Sequence, residues 1–219
     1  MIKADLHIHT CYSPDSRAKI PDIIKRCLKI GLGCIAITDH NTIKGALEAK
    51  EEAPFLVIVG EEIRTREGEI IGYFLQEEIP PGLSPEETAR LIKEQGGLVC
   101  IPHPFDSIRR SSALKFEALC RIIDQVDIIE AFNARTFFPW DQKRALKLAE
   151  ERNLPVSAGS DAHHPSEIGR MWMELPPFEN SPRNFLEALR RGRARGEKLM
   201  VLEFLGVLAR RAIALARRC

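Results

Sequence analysis

Short runs of apolar residues alternate along this chain with segments whose apolar positions recur every three or four residues. The short runs predict β-strands and the longer segments predict amphipathic helices. Because a predicted helix separates most neighbouring strands, the pattern indicates an α/β fold with a largely parallel sheet. The predicted strands are Ile2–Leu6, Cys34–Thr38, Leu56–Gly60, Glu69–Leu75, Leu98–Ile101, Asp127–Ala131, Val156–Gly159 and Met171–Leu175.

Local signals mark several helix ends. Residues 20–30 carry a helical stripe of Ile20, Ile23, Ile24, Cys27 and Leu28, and Gly31 follows as a left-handed cap. Ser84 precedes Pro85 and two acidic residues, which is the pattern of an N-cap, a proline in the first turn and an acidic helix start. Gly96 and Gly97 then end that helix before the next strand.

Polar residues with metal-binding side chains follow the predicted strands. His7 and His9 occupy alternate positions, which share one face of a strand, so both imidazoles can bind one ion. Ligands at the carboxyl ends of many parallel strands favour a closed or nearly closed barrel over an open sheet. The other candidates in these positions are Asp39, His40, Glu61, Glu62, His103, Asp161 and His163.

Composition narrows the functional classes. A chain of 219 residues is consistent with one α/β domain, and a net charge of +1 argues against a binder of duplex nucleic acid. The six cysteines show no paired spacing, which suits reduced thiols in the cytoplasm. No signal-peptide pattern opens the sequence. Cys11 is interpreted as a small apolar filler, or alternatively as a residue just outside the metal ligands.

Several motifs together resemble the polymerase and histidinol phosphatase (PHP) family over residues 1–190. The resemblance implies a distorted seven-stranded, TIM-like β/α barrel, (β/α)7, that binds two or three Mn, Zn or Fe ions and hydrolyses phosphate esters through a metal-activated hydroxide. The short chain is most similar to stand-alone phosphoesterases of nucleotides or short RNA. The motifs are Asp5-Leu6-His7-Ile8-His9-Thr10, Ala36-Ile37-Thr38-Asp39-His40, Gly60-Glu61-Glu62-Ile63, Pro102-His103-Pro104 and Gly159-Ser160-Asp161-Ala162-His163.

The resemblance also implies a ligand set. One ion would be bound by His7, His9, Glu62 and Asp161; a second by Glu62 and His103; a third by Asp15, His40 and His163. The family pattern selects Glu62 over Glu61, since neighbours on a strand face opposite sides. Where relatives usually have a histidine, this chain has Glu69. Glu69 either replaces that ligand or lies at a solvated strand edge with the second site weak or empty.

Further roles are assigned to residues near the same rim. Asp39 and Asp5 are expected to accept protons from ligand imidazoles, with a structural anchor as the alternative for Asp5. Arg135 is the leading phosphate-binding candidate because a guanidinium bonds two phosphate oxygens at once. Asn133 is expected to orient a water, and His164 is a third catalytic candidate with a capping role as its alternative. Other basic residues near the rim are Arg64, Arg66, Arg109, Arg110 and Arg170, of which Arg109 and Arg110 have a solvated alternative.

The domain prediction is a phosphoesterase barrel over residues 1–196 and an amphipathic C-terminal helix over residues 197–219. That helix is expected to pack on the barrel or on a second copy of the chain, or to lie at a membrane surface as a peripheral contact. The basic run 190–196 is interpreted as a solvated helix end, with RNA contact as the alternative.

The predicted substrate is a small phosphorylated metabolite, a nucleotide or short oligonucleotide. Histidinol phosphate is the alternative substrate, and a non-catalytic regulatory metal-binding module is the alternative class.

Overall fold

Strands and helices alternate as the hydrophobic pattern predicts. The structure is a computed structural model that describes residues 1–197. Its strands are β1 (Ile2–Ile8), β2 (Cys34–Ile37), β3 (Leu56–Thr65), β4 (Gly68–Tyr73), β5 (Leu98–Ile101), β6 (Ile128–Asn133), β7 (Val156–Gly159), β8 (Met171–Leu175) and β9 (Arg193–Gly196). Its α-helices are α1 (Ile20–Ile30), α2 (Lys44–Glu52), α3 (Pro85–Glu94), α4 (Phe116–Ile122), α5 (Pro139–Glu151) and α6 (Pro182–Arg191).

The strands form one sheet in the order β7-β6-β5-β4-β3-β2-β1-β8-β9. The segment after β7 returns to β1, where the Asp161 amide donates to the His7 carbonyl at 2.8 Å and the His9 amide to the Ala162 carbonyl at 2.9 Å. These bonds join the two ends of the β1–β7 run and nearly close it into a barrel. The structure therefore confirms the predicted distorted, TIM-like α/β barrel.

Two hydrophobic clusters occupy the two faces of the sheet. One packs the sheet against the helices and includes Ile37. The other contains Leu6 and Tyr73, and the Tyr73 hydroxyl donates to the Leu6 carbonyl at 2.8 Å. The pairing of β1 with β2 shifts register between Asp5 and Ile8, as at a bulge. Leu6 packs in the inner cluster and Ile8 in the outer one, so this irregularity lets His7 turn inward beside Leu6.

The largest differences from the strand prediction lie at β3 and β9, while β1, β2, β4 and β6 begin or end one or two residues from their predicted positions. β3 continues past Gly60 to Thr65, since its second half pairs antiparallel with β4, from Gly60 opposite Tyr73 to Thr65 opposite Gly68. The predicted strand stopped early because charged residues interrupt its apolar run. Part of the basic run, predicted as a helix end, is the strand β9, where Arg195 pairs with Glu174 of β8 at 3.0 Å.

The predicted helix ends are confirmed where local signals were clear. Gly31 adopts the left-handed conformation after α1, with φ of 71°. Ser84 and Glu87 form a capping box at the start of α3.

The structure tests only some of the remaining predictions about the chain. Nearly all of the predicted C-terminal helix, residues 198–219, lies outside the described residues. Within residues 1–197, no helix has the length and apolar character needed to cross a bilayer. Cys11 is exposed, so its interpretation as a small apolar filler is wrong.

Candidate metal centre

The fold brings the predicted metal-binding side chains to one rim of the barrel. His7 lies in β1 and His9 just after it, while His103 follows β5 and Asp161 follows β7. Glu69 reaches the same rim by a different route. It lies near the amino end of β4, and β4 runs antiparallel to both neighbours, so its start faces the same way as the ends of the parallel strands.

The first group of ligand atoms surrounds one point. Nε2 of His7 and Nε2 of His9 are 3.1 Å apart. They lie 3.6 and 3.4 Å from Oε2 of Glu62, and 3.9 and 3.5 Å from Oδ1 of Asp161. A tetrahedral ion with bonds of about 2.1 Å holds its ligands about 3.4 Å apart, so these spacings fit a divalent cation.

The other carboxylate oxygen of Glu62 faces a second group. Oε1 of Glu62 is 3.0 Å from Nε2 of His103, which lies 3.9 Å from Oε2 of Glu69. Ligand atoms of these three residues all lie within 4.8 Å of one another. Glu69 is buried and also pairs with Arg64 at 3.3 Å, so the solvated strand-edge alternative is wrong.

A third group lies on the opposite side of His9. Nδ1 of His40 is 3.1 Å from Oε2 of Glu62, and Nε2 of His40 is 3.6 Å from Oδ2 of Asp15. Nε2 of His163 is 3.2 Å from the same Asp15 oxygen. All nine predicted metal ligands are therefore brought together, with Glu62 central to the three groups.

The environment of the first two imidazoles supports a cation between them. Nδ1 of His7 lies 2.9 Å from Oε1 of Glu130, so it donates to that carboxylate. The Ser13 hydroxyl donates to Asp39 at 2.6 Å, so Ser13 accepts from Nδ1 of His9 at 3.1 Å. When both rings are neutral, their unprotonated Nε2 lone pairs point at each other, an arrangement that a bound cation makes favourable.

Glu130 is a functional residue that the sequence reasoning missed. It lies buried in β6, accepts from the His103 amide at 2.8 Å, and accepts from Nδ2 of Asn133 at 2.9 Å. A lone carboxylate inside an apolar strand was the available signal. Its contacts with His7 and His103 hold two ligands in place.

Asp39 and Asp5 do not contact the imidazoles as predicted. Asp39 accepts from the Thr10 amide and hydroxyl, each at 2.6 Å, and reaches His9 only through Ser13. Asp5 faces away from the ligands because of the register shift in β1. It accepts from the Ser160 and Gly169 amides, each at 2.9 Å, which is the structural-anchor role.

Glu61 points away from the ligand groups, in agreement with the selection of Glu62. Its Oε2 accepts from the Ile79 amide at 2.9 Å. Burial raises the pKa of the Glu61 carboxyl to about 7.

Two arginines lie against Asp161. Nη1 of Arg135 is 3.5 Å from Oδ1 of Asp161 and 2.7 Å from Nδ1 of His163. Arg109 bonds Oδ2 of Asp161 and also donates to Asp106 at 3.0 Å, so its solvated alternative is wrong. Burial favours the neutral form of Asp161, but the charges of Arg109, His7 and Arg135 hold its pKa well below the usual range.

The remaining predicted residues have different surroundings. Nδ2 of Asn133 lies 3.3 Å from Oδ2 of Asp161, at the edge of the first group. His164 is exposed, and its ring accepts from the Ser166 amide at 3.2 Å, so the structure does not bring it to the ligands. Arg66 donates a hydrogen bond to the Gly82 carbonyl, and Arg110 donates one to the Ser107 carbonyl.

Comparison with known proteins agrees with this geometry. The model of the PHP domain matches residues 5–151, and the model of the PHP-associated region matches residues 139–194. The chain belongs to the PHP family.

Related proteins include two uncharacterised proteins of Methanocaldococcus jannaschii. MJ1587 is 48% identical over 147 residues, covering 61% of this chain and 82% of the relative. MJ0417 is 36% identical over 197 residues, covering 86% and 79%.

A solved structure shares the fold. It is a two-domain protein of Bacteroides vulgatus described as containing a predicted PHP-like metal-dependent phosphoesterase. It superposes with a TM-score of 0.72 at 21% identity, covering 94% of this chain and 69% of that one.

Proposed function

We propose that this protein is a metal-dependent phosphoesterase that acts on nucleotides or short oligonucleotides. The observation that carries the proposal is the position of Glu62 on a rim lined by arginines. Its Oε2 faces His7, His9 and His40, while its Oε1 faces His103. Membership of the PHP family supports the same class of reaction.

The donor set suits divalent cations such as Mn, Zn or Fe, two or three of them, because imidazole and carboxylate bind all of these ions. His7, His9, Glu62 and Asp161 would hold one ion, and Glu62, Glu69 and His103 a second. Asp15, His40 and His163 would hold a third. Bound there, such cations lower the pKa of water and stabilise charge on phosphoryl oxygens.

The arginines supply the contacts that a phosphate ester needs. Arg109 and Arg135 carry permanent positive charge beside Asp161, so they neutralise and orient an anionic phosphoryl group at the rim. Asn133, held between Glu130 and Asp161, presents its side-chain amide to the same region and orients water there.

Charge and cysteine content support the finer parts of the proposal. A net charge near zero favours a small substrate over duplex nucleic acid, whose binding depends on many phosphate contacts. The five described cysteines are unpaired, which supports action in the reducing cytoplasm.

Elemental analysis combined with a substrate panel tests this function. Purified protein is assayed for bound metal and for phosphate release from mononucleotides, nucleoside bisphosphates, short RNA and histidinol phosphate. We expect two or three ions and selective turnover of nucleotide substrates. Preferred turnover of histidinol phosphate would make that compound the substrate in place of nucleotides. Absence of turnover with Mn or Zn supplied would indicate that the protein is a non-catalytic metal-binding module.

A pair of glutamate variants tests the site itself. Glu62→Gln should lose most bound metal and nearly all activity, because it removes a charge shared by all three groups. Glu94→Gln, on the exposed face of α3, is the matched control. Equal metal content and activity in the two variants would contradict the assignment of the site.

A further inference from the structure

Two aromatic side chains at the start of α5 stack on each other in an exposed position. The rings of Phe138 and Trp140 have centroids 4.2 Å apart and an interplanar angle of 13°. Trp140 is nevertheless 54% exposed, so much of the indole remains accessible to solvent. We call these two residues the aromatic platform.

The aromatic platform is joined directly to the metal centre by the chain. Arg135, whose side chain contacts His163 and Asp161, lies five positions before Trp140. Because an extended chain spans at most about 3.6 Å per residue, the Trp140 Cα lies within about 18 Å of the Arg135 Cα. Phe137 fills the intervening segment and packs edge-on against Phe138, with centroids 5.1 Å apart.

A second link fixes the platform from the other side. Asp141, directly after Trp140, is buried and accepts from the amide of Ser107 at 2.9 Å and from its hydroxyl at 2.7 Å. Ser107 lies in the loop that carries Arg109, which contacts Asp161. These hydrogen bonds, together with the chain itself, therefore link the aromatic platform to the segments that carry Arg109 and Arg135.

The chemistry around the platform favours a flat, anionic ligand. Arg144, one helical turn after Trp140, places its guanidinium 4.2 Å from the Phe105 ring centroid, which adds a positive charge on the same side of α5. Arg109 and Arg135 add positive charge toward the metal centre. A base carrying phosphate matches both the rings and the charge, whereas a purely apolar partner matches the rings alone.

We propose that the aromatic platform binds the base of the substrate by stacking on Trp140, while the phosphate ester lies at the metal centre. This inference rests on the proposed function and assigns its substrate specificity to a particular surface. Because every base has a π face, stacking there discriminates weakly among bases but strongly against substrates that lack one.

Fluorescence isolates the platform from catalysis. The sequence contains two tryptophans, Trp140 and Trp172. Trp172 lies in β8, with the Lys3 ammonium 5.7 Å from its ring centroid. In a Trp172→Phe variant, rapid mixing with adenosine 5′-monophosphate should quench the Trp140 emission before turnover, whereas ribose 5-phosphate should not. Absence of quenching by the nucleotide would overturn the proposal.

Kinetics supply a second readout. Trp140→Ala should lower the ratio of kcat/KM for adenosine 5′-monophosphate over ribose 5-phosphate about tenfold, the range expected for one stacked base. Trp140→Phe should restore most of that ratio, and Trp172→Phe should keep the wild-type ratio. An equal loss for both substrates in Trp140→Ala would indicate a structural role and overturn the proposal.

The remaining outcomes separate this inference from the function on which it rests. If neither phosphate ester is hydrolysed, the proposed function fails, and the fluorescence titration still decides whether the platform binds a base. A dimer seen by sedimentation velocity and lost in Trp140→Ala, without quenching by the nucleotide, would assign the platform to a second copy of the chain and overturn the proposal.

Discussion

The Ser13 hydroxyl donates a 2.6 Å hydrogen bond to Oδ1 of Asp39, a carboxylate on a different segment of the rim. This direction of donation leaves the Ser13 oxygen to accept from Nδ1 of His9 at 3.1 Å and from the His40 amide at 3.0 Å. One hydroxyl therefore sets the tautomer of one ligand and positions the backbone of another. Asp39 acts on the metal centre through this contact and not directly.

Ser13→Ala should weaken metal binding while the protein remains folded. Loss of the acceptor at Nδ1 frees the His9 ring to rotate or to change tautomer, and such outer contacts typically contribute 10- to 100-fold in affinity. Calorimetric titration with Zn or Mn measures the change. Ser166→Ala, at an exposed serine, is the control. Unchanged affinity in Ser13→Ala would show that His9 is oriented without this hydroxyl.

Glu69 should behave as a ligand of one ion only. Glu69→Ala removes a carboxylate from the group containing Glu62 and His103 but leaves the group of His7 and His9 complete. We expect one fewer bound ion by elemental analysis, and restoration by Glu69→His, since imidazole binds the same ions. Glu67→Ala, in the turn between β3 and β4, removes a half-buried carboxylate that pairs with Arg121 away from the ligand groups, and is the comparison. Full stoichiometry in Glu69→Ala would exclude the carboxylate as a ligand.

Gly45→Ala should destabilise the protein although it lies in a helix. Helix propensity favours alanine over glycine by about 1 kcal/mol. The added Cβ, however, would lie 2.2 Å from Oδ2 of Asp39 and 2.4 Å from Oγ1 of Thr10. The Thr10 hydroxyl donates a hydrogen bond to that Asp39 oxygen.

Disrupting that buried bond costs about 1–3 kcal/mol for each group left unpaired, so the clash outweighs propensity. Urea unfolding of Gly45→Ala should therefore show a loss of about 2 kcal/mol. Glu51→Ala, on the exposed face of the same helix, should change stability by less than about 0.5 kcal/mol. A stabilised Gly45→Ala would mean that propensity outweighs the clash.

Thiol reactivity should divide the cysteines by burial. Burial raises the pKa of Cys27 and of Cys34 to about 12. At pH 8 their thiolate fraction is then about one in ten thousand, so alkylation of these thiols requires unfolding that exposes them. Cys11 and Cys120 are exposed.

Alkylation of the native protein at pH 8, followed by peptide mapping, should label Cys11 and Cys120 within minutes. Cys27 and Cys34 should react only after denaturant is added. Rapid labelling of Cys34 in the native protein would contradict its burial in β2.

Sequence reasoning succeeded where the deciding interaction is local. The alternation of His7 and His9, the capping box at Ser84 and the left-handed turn at Gly31 depend on a few neighbouring residues, and all three are present. The burial of Glu69 depends instead on the reversed direction of β4, which hydrophobic periodicity does not reveal.

Arg109 and Glu130 show the same limit. Arg109 contacts Asp161, which follows β7, and Glu130 contacts His7 in β1 and the His103 amide after β5. Only the closed barrel brings these segments together. The family resemblance supplied the candidate ligand positions, but it did not supply the residues that contact those candidates and hold them in place.

The return of the chain from β7 to β1 has a consequence for how the protein is made. His7 leaves the ribosome before β2 is translated, whereas Asp161 and His163 leave it only after all of the strands β1–β7 have been translated. The nascent chain thus exposes histidines and carboxylates long before their partners exist. The complete set of candidate ligands can therefore bind a cation only late in folding. Metal uptake then indicates that the segment after β7 has paired with β1.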